Sequence, residues 1–307
     1  MGWWPSSRSA LSAVCTALLV GACAAPQSAP PPSTSVQSPQ VAQRSTSVPL
    51  PAQPPTPAQP APGFADLAAR TEQATADAAQ SGADTRIFVM DRTTGQVVSN
   101  GDNQPFPIAS VVKLFIADDL LLQEAQGKTT LSPDDRKSLD LMLRSSDDSA
   151  AQMFWDRSGG NAIIGRVKAR YGLAGTTAPS NGHWDVTQST ASDLVRYYAM
   201  LLDGSGGLPP AQANVIMGDL ARSTPTGTDG YPQRFGIPEG LYAEPVAVKQ
   251  GWFCCWNGGN QLHVTTGVIG PDRRYLMAIG SLEPGSDSAA RATMTQVVKT
   301  MFPGGRI

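Results

Sequence analysis

The chain has 307 residues, a formal net charge of −2 and only 16% charged residues. It contains no basic run or basic stripe and few aromatic residues, a composition that argues against nucleic-acid binding. The two ends of the chain differ in composition, so the folded part is shorter than the full length.

Residues 1–23 resemble an export signal. Arg8 supplies a positive charge, and the apolar run from Ala10 to Val20 is too short for a membrane-spanning helix. Small residues precede Cys23, as in the lipobox of bacterial lipoproteins, which would make Cys23 the fatty-acylated (palmitate-type) first residue of a mature lipoprotein. The alternative is ordinary signal-peptide cleavage at the same small residues.

Residues 24–63 have the composition of a tether. They contain 12 of the 26 prolines and one charged residue, Arg44. Such a segment cannot bury a core, so we expect it to be extended and disordered. A lipid anchor with this stalk would hold a domain at the outer face of the cell membrane.

Residues 64–307 show helix and strand patterns in a simple order. The sequence predicts a helix and two strands at Phe64–Gln80, Arg86–Asp91 and Gln96–Ser99. A mostly helical region follows to about Arg222, with a strong helix start at Ser132-Pro133. It contains an irregular loop from Leu173 to Ser189.

Strand patterns return after a second irregular segment. Three strands and a final helix are predicted at 246–253, 262–269, 275–281 and 289–301. We therefore expect an α/β (α+β) fold with a five-stranded antiparallel sheet flanked by helices. Residues 64–107 and 223–307 would form the α/β part, and residues 108–222 an inserted all-helical subdomain.

One predicted helix carries a lysine in an apolar sequence, Phe106–Leu122. Ser110 would lie at its amino end, and Lys113 one turn later on the same face. Burial lowers the pKa of a lysine, and such a lysine can accept a proton from a neighbouring hydroxyl. The simpler interpretation is a lysine that extends from a core helix to solvent, with Ser110 as a helix cap.

Two other short segments combine reactive side chains with turns or strands. Ser145–Ala151 lies between two predicted helices and could be no more than a helix cap. Lys249 and Gly251 lie two positions apart on a predicted strand and therefore share one face, where a glycine allows a ligand to approach the backbone closely. An edge strand protected by a lysine is the alternative.

In order and separation, the segments SVVK (110–113), SDD (146–148) and KQG (249–251) resemble the motifs of penicillin-recognising serine enzymes. These enzymes, the class A β-lactamases and low-molecular-mass penicillin-binding proteins, carry Ser-x-x-Lys, Ser-Asp-Asn and Lys-Thr-Gly. The resemblance covers roughly residues 64–307 and implies their β-lactamase/transpeptidase-like fold.

The resemblance also implies roles for individual residues. Ser110 would be the acylated nucleophile, and Lys113 its proton acceptor or a relay. Ser146 would pass a proton to the leaving nitrogen. Lys249 would bind the substrate carboxylate, and the backbone N–H groups of Ser110 and Trp252 would form the oxyanion hole.

Three departures from the family pattern weigh against full activity. Asp148 replaces the family's asparagine and could hold Lys113 charged as an ion pair. Gln250 replaces the hydroxyl residue of the family motif at a position expected to contact substrate. Gly251, which follows it, matches the glycine of the motif and is expected to lie at the same substrate site. The loop before Thr190 contains no glutamate to activate a water for deacylation.

The remaining chemically interesting residues favour structural interpretations. His183 and Asp185 are the nearest substitutes for the missing glutamate, but both are more simply loop residues. Cys254 and Cys255 are adjacent, and strand alternation argues against a disulfide between them, favouring two partly buried thiols. The sequence shows no usual zinc spacing, and no cofactor or metal is implied.

Three functions remain open. The first is acyl-serine chemistry on β-lactams or peptidoglycan-type peptides, with slow release of the acyl group. The second is a non-catalytic binding or scaffold lipoprotein of the cell envelope that kept the fold. The third is a serine esterase. Nothing in the sequence indicates an oligomeric state.

Overall fold

The structure is a computed structural model that describes Phe64 and residues 66–307. The predicted signal peptide, the acylated Cys23 and the proline-rich tether of residues 24–63 lie outside the described residues and stay predictions. No helix within the described residues is long and apolar enough to cross a membrane.

A five-stranded antiparallel sheet forms the centre of the fold, as predicted. Its strand order is β2-β1-β7-β6-β5. The first and last thirds of the chain therefore meet in the middle of the sheet, where β1 pairs with β7 from Asp84↔Leu282 to Asp91↔Tyr275. The sheet strands are β1 (Asp84–Asp91), β2 (Val97–Ser99), β5 (Val246–Trp256), β6 (Asn260–Ile269) and β7 (Tyr275–Glu283); a small second sheet pairs β3 (Phe106–Pro107) with β4 (Gln188–Ser189).

The helices follow the predicted order. In the described part of the chain they are α1 (Leu67–Gln80), α2 (Lys113–Ala125), α3 (Pro133–Arg144), α4 (Asp148–Arg157), α5 (Asn161–Tyr171), α6 (Ala191–Asp203), α7 (Pro210–Ala221), α8 (Ile237–Gly240) and α9 (Asp287–Met301). Short 3₁₀ turns lie at Ala109–Val112, Trp184–Val186 and Pro303–Gly305.

The two faces of the sheet bury different helices. Ile87 and Val89 of β1 are fully buried against the layer that contains α1 and α9. Phe88 and Met90, which alternate with them, pack on the core shared with α2 to α7. The helical block thus covers one face, and the two end helices cover the other.

Local sequence explains several helix ends. Ser132 accepts a hydrogen bond from the Asp135 amide at 3.1 Å, and the Asp135 carboxylate accepts one from the Ser132 amide at 2.9 Å, so α3 begins with a full capping box. α5 ends at Gly172, whose φ of 62° is the left-handed conformation that glycine adopts freely.

α2 is anchored in the helical block by a buried carboxylate. Asp118 is fully buried and accepts hydrogen bonds from Arg170 and Tyr171 of α5. The next residue, Asp119, forms a two-bond ion pair with Arg166, also on α5, at 2.7 Å for each bond. These contacts hold fixed the helix that begins with Lys113.

The distal end of β5 differs from the expectation for Cys254 and Cys255. The two residues form a disulfide across a cis peptide bond, and both are exposed rather than partly buried. Strand alternation does not apply here, because the pairing with β6 is shifted between Cys254 and Trp256. The prediction of two separate thiols was therefore wrong.

Candidate active site

Ser110 lies in a tight turn immediately before α2, close to the predicted position. The turn Ala109–Val112 leads directly into the helix. Ala109 has a φ of 45°, a left-handed conformation that is costly for a residue other than glycine and that is often found at functional sites. Ser110 is 7% exposed.

Strand β5 packs directly against this turn, and Gly251 makes the approach possible. A Cβ atom at position 251 would lie 2.6 Å from the Ile108 carbonyl oxygen and 3.3 Å from the Ser110 nitrogen. The sequence predicted that a glycine here would admit a ligand to the backbone. In the structure, the space beside this glycine is occupied by the backbone segment that carries Ser110.

Lys113 is the first residue of α2 and is completely buried. Its Nζ lies 2.8 Å from Ser110 Oγ, 2.7 Å from the Ser146 carbonyl oxygen, 3.2 Å from Ser146 Oγ and 2.5 Å from Asp148 Oδ1. The Trp184 ring lies over the same ammonium, 4.8 Å from ring centre to Nζ. The expected ion pair with Asp148 is therefore present.

Ser146 connects the two lysines. It lies between α3 and α4 with a φ of 56°, which directs both its carbonyl and its hydroxyl to Lys113. Lys249 Nζ donates to Ser146 Oγ at 2.9 Å and to the Gln250 carbonyl at 3.1 Å. The alternative interpretation of this segment also holds in part, because Asp147 caps α4 by accepting from the Ala150 amide at 2.7 Å.

Burial lowers the proton affinity of both lysines and so favours the neutral form, which is the form that can accept a proton. Loss of solvent lowers the pKa of Lys113, and this effect outweighs the opposing influence of Asp148. The pKa of Lys249 is lowered well below its ordinary value by burial and by the charge of Lys113. Asp148 therefore raises the proton affinity of Lys113 without restoring that of an ordinary lysine.

Gln250 is placed differently from the expectation. Its side-chain amide donates to the carbonyls of Gln233 and Phe235, at 3.2 and 2.6 Å, and accepts from Thr265 Oγ1 at 2.8 Å. Because Lys249 and Gln250 alternate on strand β5, they point to opposite faces. The prediction that the Gln250 side chain contacts substrate is corrected accordingly: it holds β5 to the loop of residues 233–235.

A cavity of about 260 Å³ opens in front of Ser110. Asp148 and Trp252, two of the residues expected to bind substrate, line it, and their contact with substrate stays a prediction. The complete lining comprises Ala109, Ser110, Asp148, Gln152, His183, Trp184, Asp185, Asp229, Trp252 and Phe253. Lys249 and Gly251 lie behind this surface, at 1% exposure for Lys249.

The cavity includes residues that sequence reasoning set aside or missed. His183 and Asp185 were interpreted as simple loop residues, yet both line the cavity wall. Asp229 was missed because it lies in the second irregular segment and matches no motif. That segment is tied to the site by the Thr228 amide, which donates to the Ser145 carbonyl at 2.8 Å.

The loop before α6 places an aromatic ring at the site where no glutamate is available. Trp184 is mostly buried, and its indole N–H donates to Gln152 Oε1 at 3.1 Å. Its ring shields the Lys113 ammonium on the cavity side. Within the described residues, no group of three His, Cys, Asp or Glu side chains is arranged to hold a metal ion.

Comparison with known proteins adds sequence relatives. Residues 69–136 match the model of a family described as the beta-lactamase enzyme family. The chain is 63% identical over 250 residues to proteins named "Putative lipoprotein LppW" from Mycobacterium bovis and Mycobacterium tuberculosis, which covers 81% of this chain and 79% of each relative.

Solved structures share the fold at low sequence identity. A β-lactamase from Chitinophaga pinensis superposes with a TM-score of 0.62 and 16% identity over 76% of this chain and 97% of its own. A class A β-lactamase representative from Bacteroides cellulosilyticus gives 0.63 and 15% over 77% and 97%. The protein PBP-A gives 0.63 and 19% over 77% and 94%.

The structural neighbours establish the β-lactamase/transpeptidase-like fold. The sequence relatives align with this chain over 250 residues, which is 81% of its length. The chain is 63% identical to the relatives named "Putative lipoprotein LppW" and covers 79% of their length, so it belongs to their family, and its fold is β-lactamase-like.

Proposed function

We propose that residues 64–307 form an acyl-serine enzyme in which Ser110 is the nucleophile. The observation that carries the proposal is the short contact between Ser110 Oγ and a fully buried lysine of lowered pKa, 2.8 Å away. A neutral lysine in this position can accept the hydroxyl proton as the serine attacks. No described residue other than Lys113 forms a hydrogen bond with this hydroxyl.

The proposed path of the proton follows these contacts. Ser110 Oγ bonds to the carbonyl carbon of the substrate and gives its proton to Lys113 Nζ. Lys113 returns that proton through Ser146 Oγ, 3.2 Å away, to the leaving atom as its bond to the carbonyl carbon breaks. The hydrogen bond from Lys249 holds the Ser146 hydroxyl in place for this transfer.

The oxygen of the tetrahedral intermediate would be stabilised by the backbone N–H groups of Ser110 and Trp252. Ser110 lies at the amino end of α2, where the helix dipole favours negative charge. Trp252 lies on β5, which is an edge strand of the sheet, so backbone groups on its outer side are free of a neighbouring strand.

Release of the acyl group is proposed to be slow. The loop supplies no glutamate, and the Trp184 ring covers Lys113 from the cavity side. His183 and Asp185 line the cavity, but neither forms a hydrogen bond with Ser110 or Lys113 among the described residues. A long-lived acyl-enzyme follows, as in an acyltransferase or a slow hydrolase.

The substrates proposed on family grounds are β-lactams or peptidoglycan-type peptides. The same serine would also be acylated by esters, so a serine esterase is a related function that uses the same nucleophile. A second candidate, a non-catalytic binding or scaffold protein, is favoured by one observation: the Lys113–Asp148 ion pair, which stabilises the charged lysine.

Intact mass spectrometry separates these candidates. The folded domain would be incubated with benzylpenicillin and, separately, with a neutral p-nitrophenyl ester, beside Ser110→Ala. We expect a mass increase equal to one acyl group with at least one reagent, lost in Ser110→Ala. Absence of an adduct with both reagents in a correctly folded protein favours the binding protein.

We further propose that the protein is exported and anchored to the outer face of the cell membrane through acylated Cys23. The residues before Cys23 and the name of the lipoprotein relatives support this. Cys23→Ser should move the protein from the membrane fraction to the soluble fraction. Unchanged membrane association would contradict lipid anchoring at this residue.

A further inference from the structure

The cavity in front of Ser110 is lined by acids rather than by cations. Asp148, Asp185 and Asp229 contribute three carboxylates to its wall. No lysine or arginine among the residues that the structure describes belongs to the lining. A substrate that enters the cavity therefore meets negative charge before it meets the two buried lysines.

Neither lysine is presented to a substrate carboxylate, because both are buried. Lys249 is 1% exposed, and its Nζ is used by Ser146 Oγ and the Gln250 carbonyl. Lys113 is fully buried and has four hydrogen-bond partners, more than its three N–H donors can serve at once. The amide of Gln250 is directed away from the cavity.

Aromatic rings complete the wall. Trp184, Trp252 and Phe253 line the cavity together with the acids. Tyr231 stacks on Trp252 with ring centres 4.4 Å apart and planes within 8°, so this side of the wall is firmly packed. Carboxylates combined with the faces of tryptophan rings attract organic cations, and ammonium groups above all.

The position of Asp229 is defined by the fold. The Tyr231 amide donates to Asp229 Oδ1 at 2.9 Å, which forms a tight turn. The same loop is attached to Ser145, next to the site residue Ser146, through the Thr228 amide. A carboxylate held in this way is a fixed part of the cavity wall.

We propose that this cavity selects acyl donors that carry a protonated amine or a quaternary ammonium near the scissile carbonyl, with Asp229 and Asp185 as specificity-determining residues. The proposal rests on the acyl-serine function proposed above and names its substrate class. Donors with a carboxylate at that position are disfavoured, and this includes ordinary penicillins.

Three esters of matched shape test the selection. They are the p-nitrophenyl esters of 4-(trimethylammonio)butanoic acid, of its neutral carbon analogue 5,5-dimethylhexanoic acid, and of glutaric acid. Acylation rates at low salt would be corrected with Ser110→Ala. Exposed charge pairs contribute roughly 0.2–1 kcal/mol each, so the two carboxylates that are not paired with Lys113, those of Asp185 and Asp229, predict a preference of roughly 2- to 30-fold for the cation over the neutral ester.

Two variants and a control assign the preference to the cavity. Asp229→Asn and Asp185→Asn should each lower the cationic-to-neutral rate ratio by about threefold, and salt should reduce the ratio in the unmodified protein. Asp77→Asn removes the same charge from the exposed surface of α1 and should leave the ratio unchanged. Equal or faster acylation by the glutarate ester would overturn the proposal.

A binding measurement keeps substrate selection separate from catalysis. In Ser110→Ala, the fluorescence of the cavity tryptophans would be titrated with 4-(trimethylammonio)butanamide and with 5,5-dimethylhexanamide. Tighter binding of the cation supports the selection even when no ester acylates the protein, a result that would reject the acyl-serine function alone. Equal or weaker binding of the cation rejects the selection itself.

Discussion

Replacing Asp148 by asparagine restores the amide that the family motif carries and removes the ion pair to Lys113. In the structure Asp148 Oδ1 lies 2.5 Å from Lys113 Nζ, and the same Nζ lies 2.8 Å from Ser110 Oγ. The carboxylate favours the charged lysine, which cannot accept the serine proton. We expect Asp148→Asn to lower the pKa of Lys113 further and to accelerate acylation at neutral pH.

The size of this effect is limited by solvent. The Asp148 side chain is 69% exposed, whereas that of Lys113 is 0% exposed. Exposed ion pairs contribute roughly 0.2–1 kcal/mol, and a tenfold change in proton affinity corresponds to about 1.36 kcal/mol. The neutral fraction of Lys113 below its pKa should therefore rise by roughly 1.4- to 5-fold, and the acylation rate with it.

The assay is the pH dependence of the acylation rate constant with the neutral 5,5-dimethylhexanoate ester. The inflection of this curve reports the free protein's proton acceptor. Because Lys113 and Lys249 influence each other, the inflection belongs to the pair. Asp148→Asn should move it to lower pH and leave the plateau at high pH unchanged.

Asp185→Asn is the matched control, since it removes a carboxylate from the same cavity that makes no hydrogen bond to Lys113. Its inflection should move less than that of Asp148→Asn. An inflection that is unchanged or moves to higher pH in Asp148→Asn would refute the view that this carboxylate holds the lysine in its charged form.

Three further predictions concern the surroundings of the site. Gly251→Ala would place a Cβ 2.6 Å from the Ile108 carbonyl oxygen, and we expect chemical denaturation to show about 1–3 kcal/mol lower stability. At a temperature where the variant is folded, acylation of Ser110 should be at least tenfold slower. Unaltered acylation would contradict this prediction. Burial lowers the pKa of His263 to about 4, so the unfolded chain binds more protons than the folded chain between about pH 4 and 6.5. The free energy of unfolding should therefore fall by up to about 3 kcal/mol as the pH drops through this window. His263→Gln should remove this contribution to the pH dependence of stability. Lys249→Met should raise the free energy of unfolding by about 1–4 kcal/mol, and most at acid pH, where the buried amine of Lys249 is protonated. The same variant should lose acylation. A variant less stable than the unmodified protein would contradict this prediction.

The proximity of the candidate catalytic residues could be predicted from sequence, because their order along the chain matches a family whose fold brings such residues together. Ser110, Lys113 and Ser146 form one hydrogen-bonded cluster with Lys249, although Ser146 and Lys249 are 103 positions apart. Periodicity alone could not establish that contact. Helix caps and strand alternation, which depend on local sequence, predicted the elements on which these residues lie.

Other features depend on long-range packing and could not be predicted from local patterns. The motif suggested a substrate contact for Gln250, whereas the loop at 233–235 and Thr265 supply its partners. Asp229 reaches the cavity only because its loop bonds to Ser145. The shifted pairing near Cys254 likewise overrides the alternation that argued against a disulfide.

The departures from the family motifs agree with the change of substrate that we propose. Gln250 leaves no hydroxyl for a substrate carboxylate, and Asp229 adds an acid to the cavity wall, so both changes oppose an anionic substrate. Two adjacent buried lysines meanwhile destabilise the fold, since each charged form has lost its solvent. A protein that used this fold only as a scaffold would gain stability by replacing Lys249 with an apolar residue. The presence of this cluster around Ser110 therefore supports the acyl-serine function that we propose.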